Sequence, residues 1–212
     1  MRTFFNTQME VLNSELIKMG SLCEEMIELS IKALQEHQDF YKEILKLETQ
    51  LDRQERNIQD LCMQILLQQQ PVAGDLRKVY SALKIISDME RIGDMALDIA
   101  KIIKESPLEY QERLENMASA TVEMVHLSID CFIKQDLSIA HSVTQKDDVV
   151  DKLFYQIKQD VIAGLSKNSQ ESEVFINYLM IAKYFEKIAD HSTNIAEWVE
   201  YSITGNYVGE EE

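Results

Sequence analysis

The sequence predicts an all-α protein made of two tandem, sequence-related antiparallel three-helix bundles, six long helices in all. Three observations predict it. Glycine and proline are scarce, 6 and 2 of 212 residues, too few to punctuate the turns of a sheet-rich fold. The strong helix formers Leu, Met, Glu, Gln, Lys and Ala dominate. Apolar residues recur at helical spacing almost from end to end, as in Ile44, Leu47, Leu51, Ile58, Leu61 and Ile65. With 45% hydrophobic residues the chain can build a packed core, so disorder is expected only in the acidic tail at 206–212.

The elements follow from where this periodicity breaks. A first helix is expected over 8–37, closed by Gln38–Asp39. A second over 39–69 ends at Gln70–Pro71. Pro71 fits the first turn of the next helix, where its missing N–H costs nothing, and the third helix runs over 72–105 to Ser106–Pro107. A fourth over 109–135 stops at Gln135–Asp136. A fifth over 137–165 stops at Ser166–Ser169, and a sixth spans 171–204.

The two halves repeat each other. EMIELSI (25–31) agrees with EMVHLSI (123–129) at five of seven positions. ERIGDMALDIA (90–100) agrees with EKIADHSTNIA (186–196) at five of eleven, with Arg91/Lys187 and Gly93/Ala189 as mild changes. Glu48 and Asp52 fall opposite Asp147 and Asp151. Three matches in one order at nearly one offset indicate a duplicated unit. The division is 1–106 for the first bundle, 107–205 for the second and 206–212 for the tail.

Charge narrows the function. There are 37 acidic against 21 basic residues, net −16, with no basic patch. Nucleic acid and anionic membrane surfaces would repel such a chain, so basic protein partners or hard cations are expected instead. No apolar run approaches the roughly 18 residues of a membrane span, and the N-terminus lacks the apolar stretch of a signal peptide. Cys23, Cys62 and Cys131 lie far apart among apolar residues and read as buried reduced thiols of a cytoplasmic protein.

Four acidic i,i+4 pairs occupy repeat-equivalent places: Glu48/Asp52, Glu90/Asp94, Asp147/Asp151 and Glu186/Asp190. The spacing puts both carboxylates of a pair on one helix face. Chance alone gives about six such pairs at this composition, so spacing proves little. Position in the hairpins says more. Asp52 and Glu90 lie equally far from Pro71, and so do Glu48 and Asp94. In the second half, 147 mirrors 190 and 151 mirrors 186 about the Ser166–Ser169 turn. At 1.5 Å rise per residue, four carboxylates then stand at matched heights in each hairpin. Two readings follow. One is a charged surface neutralised by Arg53, Arg56, Arg91 and Lys187. The other is a cation site, whose all-oxygen ligands suit Mg²⁺, Mn²⁺, Ca²⁺ or iron rather than zinc.

Other signals are weaker. Asp75 favours the dipole at the start of the third helix, and Arg77 can pair locally or reach a partner. His191 is a peripheral ligand candidate beside Asp190. Trp198 and Tyr201 read as packing residues, and the ten methionines mostly as core filler. No Gly-rich phosphate loop, nucleophile elbow or HExxH supports an enzyme. A ferritin-type di-iron oxidase would need two Glu-x-x-His motifs, whereas only Glu123-x-x-His126 occurs. A metal-free helical adaptor or scaffold is the plainer alternative.

LLQQQPVAGDLRKVYSALKIISDMERIGDMALDIA (66–100), together with YLMIAKYFEKIADHSTNIAEWVEYSITG (178–205), resembles the PhoU family, and the resemblance covers essentially the whole chain. It implies two three-helix bundles and an accessory regulator of high-affinity phosphate uptake. It also implies contacts with the ATPase subunit of a phosphate ABC transporter and with a phosphate-sensing histidine kinase. Such a protein restrains phosphate-starvation signalling when phosphate is ample. It forms a homodimer and lies peripheral to the inner face of the membrane through its partners. The E/D-x-x-x-D motifs that carry multinuclear metal sites in the family are intact here as Glu48/Asp52, Glu90/Asp94, Asp147/Asp151 and Glu186/Asp190. Glu55 and Asp98 continue two of the stripes as further ligand candidates. The repeat places Phe154 and Asn194 opposite them.

Overall fold

The computed structural model describes residues 2–36, 38–106, 112–167 and 169–206. It contains six long helices: α1 (Arg2–Glu36), α2 (Tyr41–Gln69), α3 (Gly74–Glu105), α4 (Glu112–Lys134), α5 (Leu137–Lys167) and α6 (Ser172–Thr204). A short 3₁₀ turn, Ser169–Glu171, leads into α6. No strand occurs among the described residues. None of their helices is long and apolar enough to cross a membrane.

The helix ends have local causes. Asp39 Oδ1 accepts the Tyr41 N–H at 3.0 Å, one of the donors a helix start leaves open. Gln135, at φ 51°, ends α4. Asp136 then starts α5, its Oδ1 accepting the Ser138 N–H at 2.8 Å, an N-cap arrangement. The expected bounds need two corrections. Helix α1 begins at Arg2, not at residue 8, because Phe5 and Met9 still pack on the core. Helix α3 begins at Gly74, so Pro71 stands in the connection and not in a first helical turn. Gln70 and Ala73 adopt φ 45° and 48°, and these two left-handed residues reverse the chain before α3 starts. Asp75 does fall in the first turn of α3. The expected start of the fourth helix at 109 and the acidic tail beyond 206 lie outside the described residues.

Helices α3 and α6 run antiparallel along each other at the centre. Helices α2 and α5 flank them, with α1 over α2 and α3, and α4 over α5 and α6. The duplication is visible in single hydrogen bonds. Cys23 Sγ on α1 donates to the Met89 carbonyl on α3 at 3.3 Å, and Thr121 Oγ1 on α4 donates to the Phe185 carbonyl on α6 at 3.4 Å. Residues 23 and 121 are repeat equivalents, as are 89 and 185. Between the halves α1 and α4 also run antiparallel: Gly20 meets Ile129, and Gln35 Nε2 donates to Glu115 at 2.7 Å. Since both shared seams are antiparallel, a half-turn relates one bundle to the other.

The core includes Tyr178, Phe185, Leu12, Leu16, Met19, Met26, Met89, Met117 and Met124, all buried. The three cysteines are free and buried. Burial pushes the Cys62 thiol up to about 12 and Cys131 to about 11, and raises Cys23 as well, so all three are poor nucleophiles. Arg77 lies against the end of α6. There Gly205, at φ 81°, closes the helix with its N–H on the Tyr201 carbonyl at 2.9 Å. A guanidinium suits this negative end of the helix dipole.

Candidate metal centre

The α2–α3 seam sets the height of the first acidic group. Gly93 of α3 sits against Leu51 of α2, which levels Asp52 with the turn carrying Glu90 and Asp94. The four side chains act on one another across the seam. Glu48 is held above the ordinary glutamate value, first by loss of solvent and then by the charges of Asp52 and Asp94. Glu90 is raised by burial and by Asp94, with Glu55 and Asp52 adding to this and Arg91 opposing it. Burial also raises Asp94; Arg91 opposes, and Asp52 and Asp98 add. Burial and Asp52 likewise raise Glu55. Like charges that cannot separate resist ionising together.

Partial neutralisation comes from cations at the rim. Arg91 lies 3.5 Å from Glu90 and 3.6 Å from Asp94, and Arg56 lies 3.7 Å from Asp52. These are long contacts by mostly exposed side chains, each worth little in stability.

The second group, on α5 and α6, is built differently. Burial raises Asp147 to about 6, with Asp151, Asp190, Asp148 and Glu186 adding to the effect. Its Oδ1 is buried and has no hydrogen-bond partner. Asp151 is raised by burial and then by Glu186 and Asp190. On α6 two lysines stand among the acids. Lys183 Nζ donates to both Glu186 oxygens at 2.6 Å. Lys187 Nζ donates to Asp190 and lies 3.5 Å from Glu186. Lys187 was expected from the sequence; Lys183 was missed, because its repeat equivalent is Ser87 and no acidic pattern marks it. Its one signal is the i,i+3 spacing to Glu186. Its ammonium also lies 5.0 Å from the Phe154 ring centre, at the place where the first half has Glu55.

Carboxylate-only donors fit a hard cation, and the orphaned Asp147 oxygen is the kind of atom such an ion would satisfy. Among the described residues, no group of three His, Cys, Asp or Glu side chains is gathered closely enough to hold an ion. The acids share a region and a field, while several oxygens are turned towards Arg and Lys.

Two further candidates, His191 and Asp98, point to the seam between the halves, and so does Asn194, the repeat equivalent of Asp98. Asn194 Nδ2 donates to Asp88 Oδ1 at 3.2 Å, and His191 Nδ1 meets the same oxygen at 2.8 Å. Asp98 accepts from Tyr184. Residue 98 is the repeat equivalent of 194, and 88 of 184, so both halves make the same contact with different side chains. His191 therefore faces Asp88 across α3 and α6 instead of standing as a ligand beside Asp190. His126 lies 2.6 Å from Glu24 and 3.6 Å from Glu28, and Glu123 pairs with Lys146 at 2.6 Å. The Glu123-x-x-His126 motif thus faces α1 and an α5 lysine, not a second copy of itself. Tyr80, Trp198 and Tyr201 pack edge to face at 5.7–6.4 Å, the packing role expected for Trp198 and Tyr201.

Glu197 adds a pH dependence to this seam. Burial, with the charges of Glu200 and Asp88, holds it above the ordinary 4.5. The folded state therefore takes up its proton before the unfolded chain does. Stability rises as pH falls from neutral towards 4.5, and ionisation removes that gain as pH rises. Glu197→Gln is expected to melt above the wild type at neutral pH, with a smaller rise in Tm on acidification. Thermal melts from pH 7.5 to 4.5 check it, and an unchanged pH slope would count against it.

Comparison with known proteins gives one consistent result. The family model described as "PhoU domain" matches twice, over residues 16–103 and 114–199. The chain is 33% identical, over 98% of its length and 97% of the other's, to a phosphate-specific transport system accessory protein PhoU homolog from Clostridium acetobutylicum. It is 31% identical, over 96% and 87%, to the one from Pseudomonas aeruginosa. The crystal structure of PhoU from Pseudomonas aeruginosa superposes with a TM-score of 0.90 at 30% identity, covering 95% of this chain and all of that one. That of the phosphate transport system regulatory protein PhoU from Streptococcus pneumoniae superposes with a TM-score of 0.89 at 27% identity, covering 97% of this chain and 100% of that chain.

Proposed function

The chain belongs to the PhoU family, and from that premise we propose that it is an accessory protein of phosphate-specific transport. It acts as a negative regulator of high-affinity phosphate uptake and phosphate-starvation signalling, and not as an enzyme. The observation that carries this reading is the pair of PhoU domains that together span most of the chain. Its partners are the ATPase subunit of a phosphate ABC transporter, a phosphate-sensing histidine kinase and a second copy of itself. It works in the cytoplasm, held near the membrane by those contacts. The net charge of −16 suits basic surfaces on such partners and disfavours nucleic acid.

Iron, Mn²⁺ or Mg²⁺ would be held by Glu48, Asp52, Glu90 and Asp94 in the first half. In the second half Asp147, Asp151, Glu186 and Asp190 would hold it. The ion supplies positive charge where like charges raise one another. The residues' own work is to present oxygens from two antiparallel helices, so that a bound ion ties the hairpin together. In the second half the ion must displace Lys183 and Lys187 from Glu186 and Asp190. These two lysines also favour a second reading there, in which the acids are neutralised within the chain and the fold is a metal-free adaptor.

Deleting the gene tests the regulatory reading. In phosphate-rich medium the deletion strain is expected to keep phosphate-starvation genes active, measured by a reporter or by phosphatase activity. Restoring this chain should return them to repression. Normal repression in the deletion strain would overturn the assignment.

A further inference from the structure

A cavity of about 180 Å³ opens where α1, α3, α4 and α6 meet, between the N-terminal parts of α1 and α3 and the C-terminal ends of α4 and α6. It lies outside both acidic groups. Its apolar walls come from both halves: Leu12, Leu16 and Ile85 from the first, Phe132 and Ile133 from the second. Each half contributes a wall, so anything bound there touches both bundles at once.

Three observations give the cavity a chemical character. None of the chain's 37 acidic residues is among the side chains that line it, and one cation, Lys78, is. In a chain of net charge −16 that is a local reversal. Lys78 has no carboxylate partner among the described residues. Ser81, 1% exposed, also lines the cavity, and its buried Oγ has no hydrogen-bond partner. An unmade hydrogen bond in such a place is unfavourable. Lys78 and Ser81 are one turn apart on α3 and share a helix face. Lys78, which is exposed, offers a cation, and buried Ser81 offers a hydroxyl, and both line the apolar chamber. Asn13 stands at the same opening.

We propose that this cavity binds a small monocarboxylate with an apolar tail. The carboxylate bridges Lys78 Nζ and Ser81 Oγ, and the tail lies against Leu12, Leu16, Ile85, Phe132 and Ile133. Size sets the tail. An apolar cavity of about 150 Å³ accepts benzene, so a phenyl ring or a tail of about six carbons fills this one. Inorganic phosphate lacks the tail, and a neutral alcohol lacks the charge. The assignment does not depend on the regulatory function or on any metal.

The test uses the full-length folded protein and titrates benzoate and hexanoate, followed by methyl NMR and calorimetry. Saturable binding is expected, with Kd on the order of a millimolar, as suits about nine heavy atoms. The shifts should be confined to methyls of Leu12, Leu16, Ile85 and Ile133. Lys78→Gln should weaken binding about tenfold, the loss of one charge-assisted hydrogen bond. Ser81→Ala should weaken it several-fold. Lys104→Gln, at the far end of α3, should leave it unchanged, which guards against a general charge effect. Benzyl alcohol and inorganic phosphate should bind at least tenfold more weakly. Failure to saturate, shifts outside the cavity, equal binding of benzyl alcohol, or unchanged affinity in Lys78→Gln would each overturn the proposal.

Discussion

Replacing Glu90 and Asp94 together by Gln and Asn is expected to abolish the metal-dependent stabilisation of the first half while leaving the metal-free protein as stable as the wild type, or slightly more so. In the chelated protein Glu48, Glu90 and Asp94 are all held above their ordinary values, first by burial and then by neighbouring carboxylates, Asp52 acting on all three and Asp94 on the two glutamates. Removing two of the charges relieves that repulsion. Arg91 loses its partners at 3.5 and 3.6 Å, but it is largely exposed and the loss is small. A cation that binds only the folded state adds RT ln(1 + [L]/Kd), about 2.7 kcal/mol at a hundred times Kd. For a chain of this size that is a rise of roughly 5–10 °C in Tm. Thermal melts with chelator and with Mn²⁺, Mg²⁺ or iron should show the rise in the wild type. The double variant should keep only the part contributed by Asp147, Asp151, Glu186 and Asp190. That remainder should be the smaller part, because Lys183 and Lys187 compete for two of the four carboxylates. A purely salt-bridged surface gives the reverse: no response to any ion, and a small loss of stability in the variant. No shift in the wild type with any of the three ions would remove the metal assignment.

What could be read from the sequence, and what could not, divides along the range of the interactions. Helix number, connections and duplication rest on local signals: apolar periodicity, breaks at Asp39 and Asp136, and two matched segments. All of these appear in the fold. The height of the acidic pairs was also legible, since an antiparallel hairpin fixes height by counting from its turn. The errors are local conformations and long-range contacts. Pro71 suggested a helix start that left-handed Gln70 and Ala73 postpone to Gly74, and nothing in Gln or Ala announces φ near 45–50°. From the sequence Asp98 extends an acidic stripe, His191 is a peripheral ligand candidate, and Asn194 is the residue the repeat sets opposite Asp98. They join α3 to α6 instead, at separations of 86 to 106 residues in the chain, where helix rotation decides the partner. Lys183 has no counterpart in the first half, so the repeat could not reveal it. The cavity beside Ser81 was invisible because its walls come from four separate segments.

Gly93→Ala is expected to destabilise the protein even though the equivalent position, 189, is already alanine. From the repeat alone the exchange looks conservative, and alanine is the better helix former by about 1 kcal/mol. Packing reverses the sign. A methyl on Gly93 would lie 2.2 Å from Leu51 Cδ2 and 3.4 Å from Met26 Cε. Leu51 is 1% exposed and Met26 0%, so neither side chain has solvent to move into. Overpacking of this kind costs typically 1–3 kcal/mol. Set against the helix gain, the net loss reaches about 2 kcal/mol where neither Leu51 nor Met26 can give way, or several degrees in Tm. Leu51→Ala alone should cost about 2–5 kcal/mol through the cavity it leaves. Combined with Gly93→Ala it should cost clearly less than the two single losses together, because the new methyl enters the space vacated. Such coupling is the mark of side chains in contact. The same contact fixes the register that levels Asp52 with Glu90 and Asp94. A helix pushed off by Gly93→Ala should therefore also lose part of its metal-dependent rise in Tm. A Gly93→Ala protein that melts at or above the wild type would show that α2 and α3 are not packed on this register, and the matched heights of the first acidic group would fall with it.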